Sequence, residues 1–115
     1  MAVSEDLGLV SGTLDLLVLR TLAWGPRHGF AIARWIKANS DAAILVEDRA
    51  LYLALHRLEE RGLVESEWGV SENNRRARYY QLTRKGRKQL EVRAEHWTRY
   101  AEAVFKILKA QPGET

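Results

Sequence analysis

Apolar positions recur at helical spacing in four stretches of this chain and alternate in two short ones between the third and the fourth. From Gly12 to Trp24, Leu14, Leu17, Val18, Thr21 and Leu22 follow a helical period, and Leu16 and Leu19 widen the stripe, so this helix should be buried on two sides. Ser11 or Thr13 is placed to cap its start, and Gly25-Pro26 ends it because proline cannot continue the hydrogen-bond ladder. His28 to Asn39 forms a second helix with Ile32, Trp35 and Ile36 on one face and Arg34 and Lys37 on the other. Asn39-Ser40-Asp41 breaks it, and the short link Ala42 to Val46 leads to Glu47 and Asp48, either of which suits the start of a third helix. The first ten residues carry no period and are expected to fray, as is the tail from Gln111 to Thr115.

The third helix lies in LYLALHRLEERGLV, where Leu51, Ala54, Leu55 and Leu58 fall at i, i+3, i+4 and i+7. Its outer face carries Arg49, Tyr52, Leu53, His56, Arg57 and Glu60, a mixture of charge, hydrogen-bonding groups and an aromatic ring. Gly62 supplies the left-handed residue that stops the helix. In LVESEW, Val64, Ser66 and Trp68 share one parity, which predicts a strand. Gly69 to Asn74 reads as a loop, and ARYYQL as a second, aromatic-rich strand leaning on the helices through Tyr80 and Leu82, with Leu63 beside them. Three helices on short turns followed by such a hairpin predict a mainly α fold with a β-hairpin, a winged helix-turn-helix over residues 1–83.

Thr83 opens the last element, in which Leu90, Ala94, Trp97, Ala101, Val104 and Leu108 are spaced 4, 3, 4, 3, 4, a heptad seam. A helix from Arg84 to Lys109 runs about 40 Å at 1.5 Å per residue, more than a small domain can cover. Residues 84–115 are therefore read as a dimerisation helix and tail, with a second protomer on the seam.

Composition narrows the function. The 115 residues, 46% hydrophobic and 29% charged, suit one globular domain, and the absence of cysteine removes disulfides, thiolate metal sites and a cysteine nucleophile together, as suits a cytoplasmic protein. Neither a basic leader followed by an apolar run nor a membrane-length apolar stretch is evident, so no membrane partner is expected. His28, His56 and His96 have no metal-ligand spacing, and no glycine-rich phosphate loop follows a strand, which argues against an enzyme and for no cofactor. The net charge is only +3, but the pI is about 9.4 and the positive charge is concentrated. Between Arg75 and Arg93, Arg76, Arg78, Arg84, Lys85, Arg87 and Lys88 face the single acid Glu91, which points to a polyanionic partner, double-stranded DNA.

Within that reading Arg75, Arg76 and Arg78 straddle a duplex backbone, with Tyr79 stacking or bonding to phosphate. Tyr52 and Arg57 are the third helix's candidates for phosphate or base contact. Arg49 opposes the helix dipole, which suits a site that meets DNA, although pairing with Glu47 or Asp48 explains it equally. Leu53 either touches a thymine methyl or covers a loop, and His56 is an ordinary surface histidine beside them. Trp97, in mid-seam, either packs or walls a slot for a planar aromatic molecule at the dimer interface.

The spans GTLDLLVLRTLAWGPRHGFAIARWIK, LYLALHRLEERGLVESEW and RRARYYQLTRKGRKQL, with the closing Trp97 helix, resemble a PadR-family transcriptional regulator from about Gly12 to Leu108. The resemblance is most specific in LY-x-AL-x-RLE-x-x-GL and RYY-x-LT-x-x-G. It implies a winged helix, one C-terminal dimerisation helix, and repression from a palindromic promoter element. Some relatives in the short-tailed branch hold planar aromatic compounds between paired tryptophans, and Trp97 in EHWTRY occupies the similar place. Arg49 stands where the family often has glycine and Leu53 where it often has proline. The expectation is a homodimeric, DNA-binding repressor; the alternative is a dimeric winged-helix protein-interaction module without DNA reading.

Overall fold

The computed structural model describes residues 12–113; the N-terminal residues, Ser11 as a cap and the last two residues of the tail lie outside them. The chain order is α1 (Thr13–Thr21), β1 (Arg27–His28), α2 (Gly29–Asn39), α3 (Asp48–Glu60), β2 (Val64–Val70), β3 (Arg76–Leu82) and α4 (Arg84–Lys109). The expected hairpin is part of a three-stranded antiparallel sheet in the order β1-β3-β2, in which Arg27 and His28 pair with Tyr80 and Tyr79. A two-residue strand carries no period, so only its register against β3 reveals it.

α1 is shorter than its apolar pattern. It ends at Thr21, whose hydroxyl donates to the Leu17 carbonyl at 2.8 Å, and Leu22 to Trp24 form a turn before Gly25. Thr13 does not cap it: Gly12 takes the cap position at φ 84°, and the Thr13 hydroxyl has no hydrogen-bond partner. Val18, Leu19 and Leu22 are fully buried, and Leu14, Leu16 and Leu17 pack on that core from either side, as a stripe wider than one face requires.

α2 and α3 complete the core with Ile32, Ile36, Leu51, Ala54, Leu55 and Leu58. Glu47 holds the N-cap position of α3 without a side-chain cap bond, and Asp48 lies in the first turn, where a carboxylate suits the helix dipole. At the other end Gly62 sits at φ 74°, Leu63 N–H donates to the Leu58 carbonyl and Gly62 N–H to the Glu59 carbonyl. Those two bonds satisfy carbonyls the helix would leave orphaned, and the buried Leu58 and Leu63 seal the turn.

Register in the hairpin follows from a turn shorter than the loop expected. β2 continues to Val70, Ser71 N–H donates to the Arg75 carbonyl, and Asn74 closes the corner at φ 60°. Trp68 therefore opposes Arg78, and Ser66 opposes Tyr80. One face of the sheet carries Val64, Tyr80 and Leu82 into the core, and the same face farther out carries Trp68, Arg76 and Arg78.

α4 has two different halves. Thr83 caps it by accepting from Gly86 N–H at 3.0 Å while donating to the Gly62 carbonyl at 2.7 Å. Gly86 and Leu90 are buried, and a Cβ on Gly86 would stand 2.0 Å from the Leu63 carbonyl oxygen, so the start of α4 belongs to the winged-helix core. Beyond it Trp97, Phe105, Ile107 and Leu108 are exposed by 43%, 59%, 74% and 73%. Leu90, the first residue of the heptad seam, is thus drawn into its own protomer, and the open part of the seam begins at Ala94.

Candidate nucleic-acid interface

One edge of α3, with Tyr52 from its outer face, and the inner face of the wing border one cleft. It holds about 360 Å³ and is lined by Asp48, Leu51, Tyr52 and Leu55 of α3, Ala77, Arg78 and Tyr80 of β3, and the chain from His28 to Phe30. Tyr52 is 65% exposed and Leu53 41%, and Arg49 and His56 are also exposed. Arg49 makes no ion pair with Glu47 or Asp48 at its helix end; His56 Nε2 stands 3.5 Å from Glu60 one turn on. Burial pushes the Tyr80 hydroxyl above its usual range, consistent with its place at the cleft floor.

Of the five arginines assigned to DNA from sequence, the four besides Arg49 divide into two pairs. Arg57 turns away from the outer face and donates to Asp15 of α1 at 2.7 Å; the Asp15 side chain is only 9% exposed. Arg78 donates through Nε to Ser66 Oγ at 2.8 Å and approaches Glu59 at 3.8 Å, while Ser66 donates to the same Glu59 carboxylate. Arg57 thereby ties α3 to α1, and Arg78 ties the wing to α3. Arg75 and Arg76, by contrast, form no ion pair among the described residues. Arg76 is held only by stacking, its guanidinium 4.4 Å from the Trp68 ring centroid, and Arg78 reaches the same ring at 5.5 Å.

Tyr79 lies on the other face of the sheet. Its hydroxyl donates to the Val70 carbonyl at 3.1 Å, its ring meets His28 edge-on at 5.4 Å, and it covers Gly69, where a Cβ would come within 3.0 Å of the ring. That arrangement braces the wing and leaves the tyrosine turned from the cleft.

Two residues missed by the sequence reading belong to this surface. Trp68, 54% exposed, has a parity that was legible, but its stack on Arg76 depends on the hairpin register. Phe30, 68% exposed at the cleft rim, gave no signal beyond one exposed aromatic at the start of α2. A second cleft of about 500 Å³ lies between α1 and α4, with Trp97, Val92, Arg93 and His96 on one side and Asp15, Leu16 and Arg61 opposite. Among the described residues no group of side chains is arranged to hold a metal ion, and no helix is long and apolar enough to cross a membrane.

The family model for the transcriptional regulator PadR-like family matches residues 18–92. A transcriptional regulator from Clostridium thermocellum is similar in structure, with 28% identity and a TM-score of 0.77 over 89% of this chain and 100% of that one. A PadR family transcriptional regulator from Eggerthella lenta is 33% identical at a TM-score of 0.71, covering 87% of this chain and 85% of its own. A PadR family transcription regulator from Clostridium difficile is 26% identical at 0.73, covering 84% and 99%. Together with a winged helix whose outer helix and wing share one cleft, these matches identify the chain as a member of the PadR-like family of transcriptional regulators, DNA-binding proteins and not enzymes.

Proposed function

We propose that the protein is a homodimeric repressor that binds a palindromic promoter element, with α3 in the major groove and the tip of the wing on the adjacent backbone. The observation that carries this reading is the juxtaposition of Tyr52 and His56 on the exposed side of α3 with Arg78 and Tyr80 of the wing, with Arg75 and Arg76 outside any ion pair among the described residues. Arg49, Tyr52, Leu53 and His56 face the bases or their flanking phosphates. Arg75 and Arg76 neutralise the backbone, and Arg57 and Arg78 hold the two reading elements in place.

A second copy covers the exposed seam of α4, with Ala94, Trp97, Ala101, Val104 and Leu108 at the interface and two half-sites about one helical turn apart or a multiple of that. The cleft beside Trp97 admits a planar aromatic effector. Asp15 lines that cleft and also anchors Arg57, which connects an occupant to the DNA-reading helix.

The experiment is selection of duplexes from a randomised pool by the full chain, with the mass of the complex measured. Recovery of an inverted repeat bound by two copies is expected. Recovery of no duplex at low salt, with the dimer intact, would favour a protein-interaction module instead. An aromatic compound that quenches tryptophan fluorescence and releases the selected duplex, both effects being lost in Trp97→Ala, would support the effector.

A further inference from the structure

Glu72, in the turn of the wing, reaches back across the molecule to α2. Its Oε1 stands 3.7 Å from His28 Nε2 and its Oε2 stands 3.7 Å from Arg34 Nη2. Each donor is already oriented by a second contact. His28 caps α2 by accepting from Ala31 N–H through Nδ1 at 3.2 Å, which leaves the proton on Nε2, aimed at the carboxylate. Arg34 lies over the Phe30 ring, 5.0 Å from its centroid. Two pre-oriented donors from one helix thus converge on an anion brought by another element.

That anion is held weakly. Both contacts exceed hydrogen-bond length, and the Glu72 and Arg34 side chains are 64% and 57% exposed, conditions in which an ion pair contributes little. A hydrogen bond to its own backbone N–H, with His28 and Arg34 beside it, keeps the Glu72 carboxyl below the usual carboxylate range, so it is charged at neutral pH. A carboxylate on the tip of a wing that meets DNA is itself repelled by the duplex, unless it vacates its place as the duplex arrives.

With α3 and the wing docked as proposed above, the place it occupies lies on the path of the backbone. His28 and Phe30 form one end of the cleft whose sides are α3 and β3. A strand passing from the groove filled by α3 to the groove touched by the wing crosses that cleft. We propose that His28, Phe30 and Arg34 form a phosphodiester-binding site, and that Glu72 is a stand-in for the phosphate in the free protein. The inference rests on the DNA-binding reading above. On docking, the phosphate takes the two donors, the ribose packs on Phe30, and the wing turn is released from α2. The contact makes the free protein partly self-inhibited, so that weak, sequence-independent binding is penalised more than binding in which the wing is fully engaged.

The test is the affinity of the full chain for a mixed-sequence duplex over a range of salt, since a phosphate contact is independent of sequence. Glu72→Gln should bind about threefold or more tightly at low salt, because the donors no longer have to be vacated. Arg34→Ala should weaken binding and make the salt dependence shallower by about 0.9, the increment of one phosphate contact, and the double variant Arg34→Ala/Glu72→Gln should show none of the gain. Glu67→Gln removes the same charge from β2, across the sheet from Tyr79 and without an ion pair to His28 or Arg34, and should give a smaller gain. Weaker binding by Glu72→Gln would overturn the proposal in favour of a carboxylate that braces the wing. A gain that survives in the Arg34→Ala background, or is matched by Glu67→Gln, would overturn it in favour of general charge. Absence of duplex binding by the unaltered chain would instead sink the DNA-binding reading on which the site depends.

Discussion

Arg57 and Arg76 would be scored alike by charge and exposure, yet they have opposite surroundings. Arg57 ends on a carboxylate that is nine-tenths buried, and Arg76 ends on the face of an exposed indole. A guanidinium that satisfies a buried acid is committed to the fold, because losing it leaves the acid charged and unpaired. One that lies on an aromatic ring keeps its N–H edge free for an anion while its rotamer freedom is already reduced. On the reading proposed above, the difference separates the arginines that position the DNA-reading elements from those that meet the DNA, a division that net charge cannot make.

The sharpest way to break that comparison is to remove Arg57. Arg57→Ala should lower unfolding stability by about 3 kcal/mol, the lower end of the range for a broken buried pair because Arg57 itself is 45% exposed. Denaturant unfolding reads this out, and Asp15→Asn/Arg57→Met should recover much of the loss. An Arg57→Ala variant of unchanged stability but lost DNA binding would return Arg57 to the contact surface.

Arg75→Ala/Arg76→Ala is the converse and should leave the unfolding midpoint in place. Its effect falls on DNA, where the slope of log affinity against log salt should become shallower by about 1.8, two contacts at about 0.9 each. Equal salt slopes for this variant and the unaltered chain would place the backbone contact elsewhere.

The distinction was only partly legible in the sequence. The limits of α4, Arg84 to Lys109, follow from the Thr83 cap and an uninterrupted period, and the core side of α3 follows from four leucine and alanine positions. Asp15 carried a signal too, as an acid in line with the buried Val18, Leu19 and Leu22, but its partner lies 42 positions away and no local period joins them. The role of Arg78 depends on Glu59 and Ser66, and that of Tyr79 on Val70, so both waited on the register of a hairpin whose turn is shorter than its loop-like composition. Local spacing shows which face of an element is buried; which charged residue meets which is a tertiary fact.

Trp68 offers the finest discrimination. If its ring serves to hold Arg76 in readiness, Trp68→Leu keeps an apolar side chain on the strand but removes the stack, a loss of about 0.5–1 kcal/mol for an exposed cation–π contact. Duplex binding should then weaken about twofold to fivefold with little change in the salt slope, since Arg76 still reaches the backbone but must be ordered as it does so. In the Arg76→Ala background the same substitution should have almost no further effect, because the residue it orders is gone. Additive losses would mean that the indole meets the duplex directly, and that the wing reads DNA with its aromatic ring as well as with its charge.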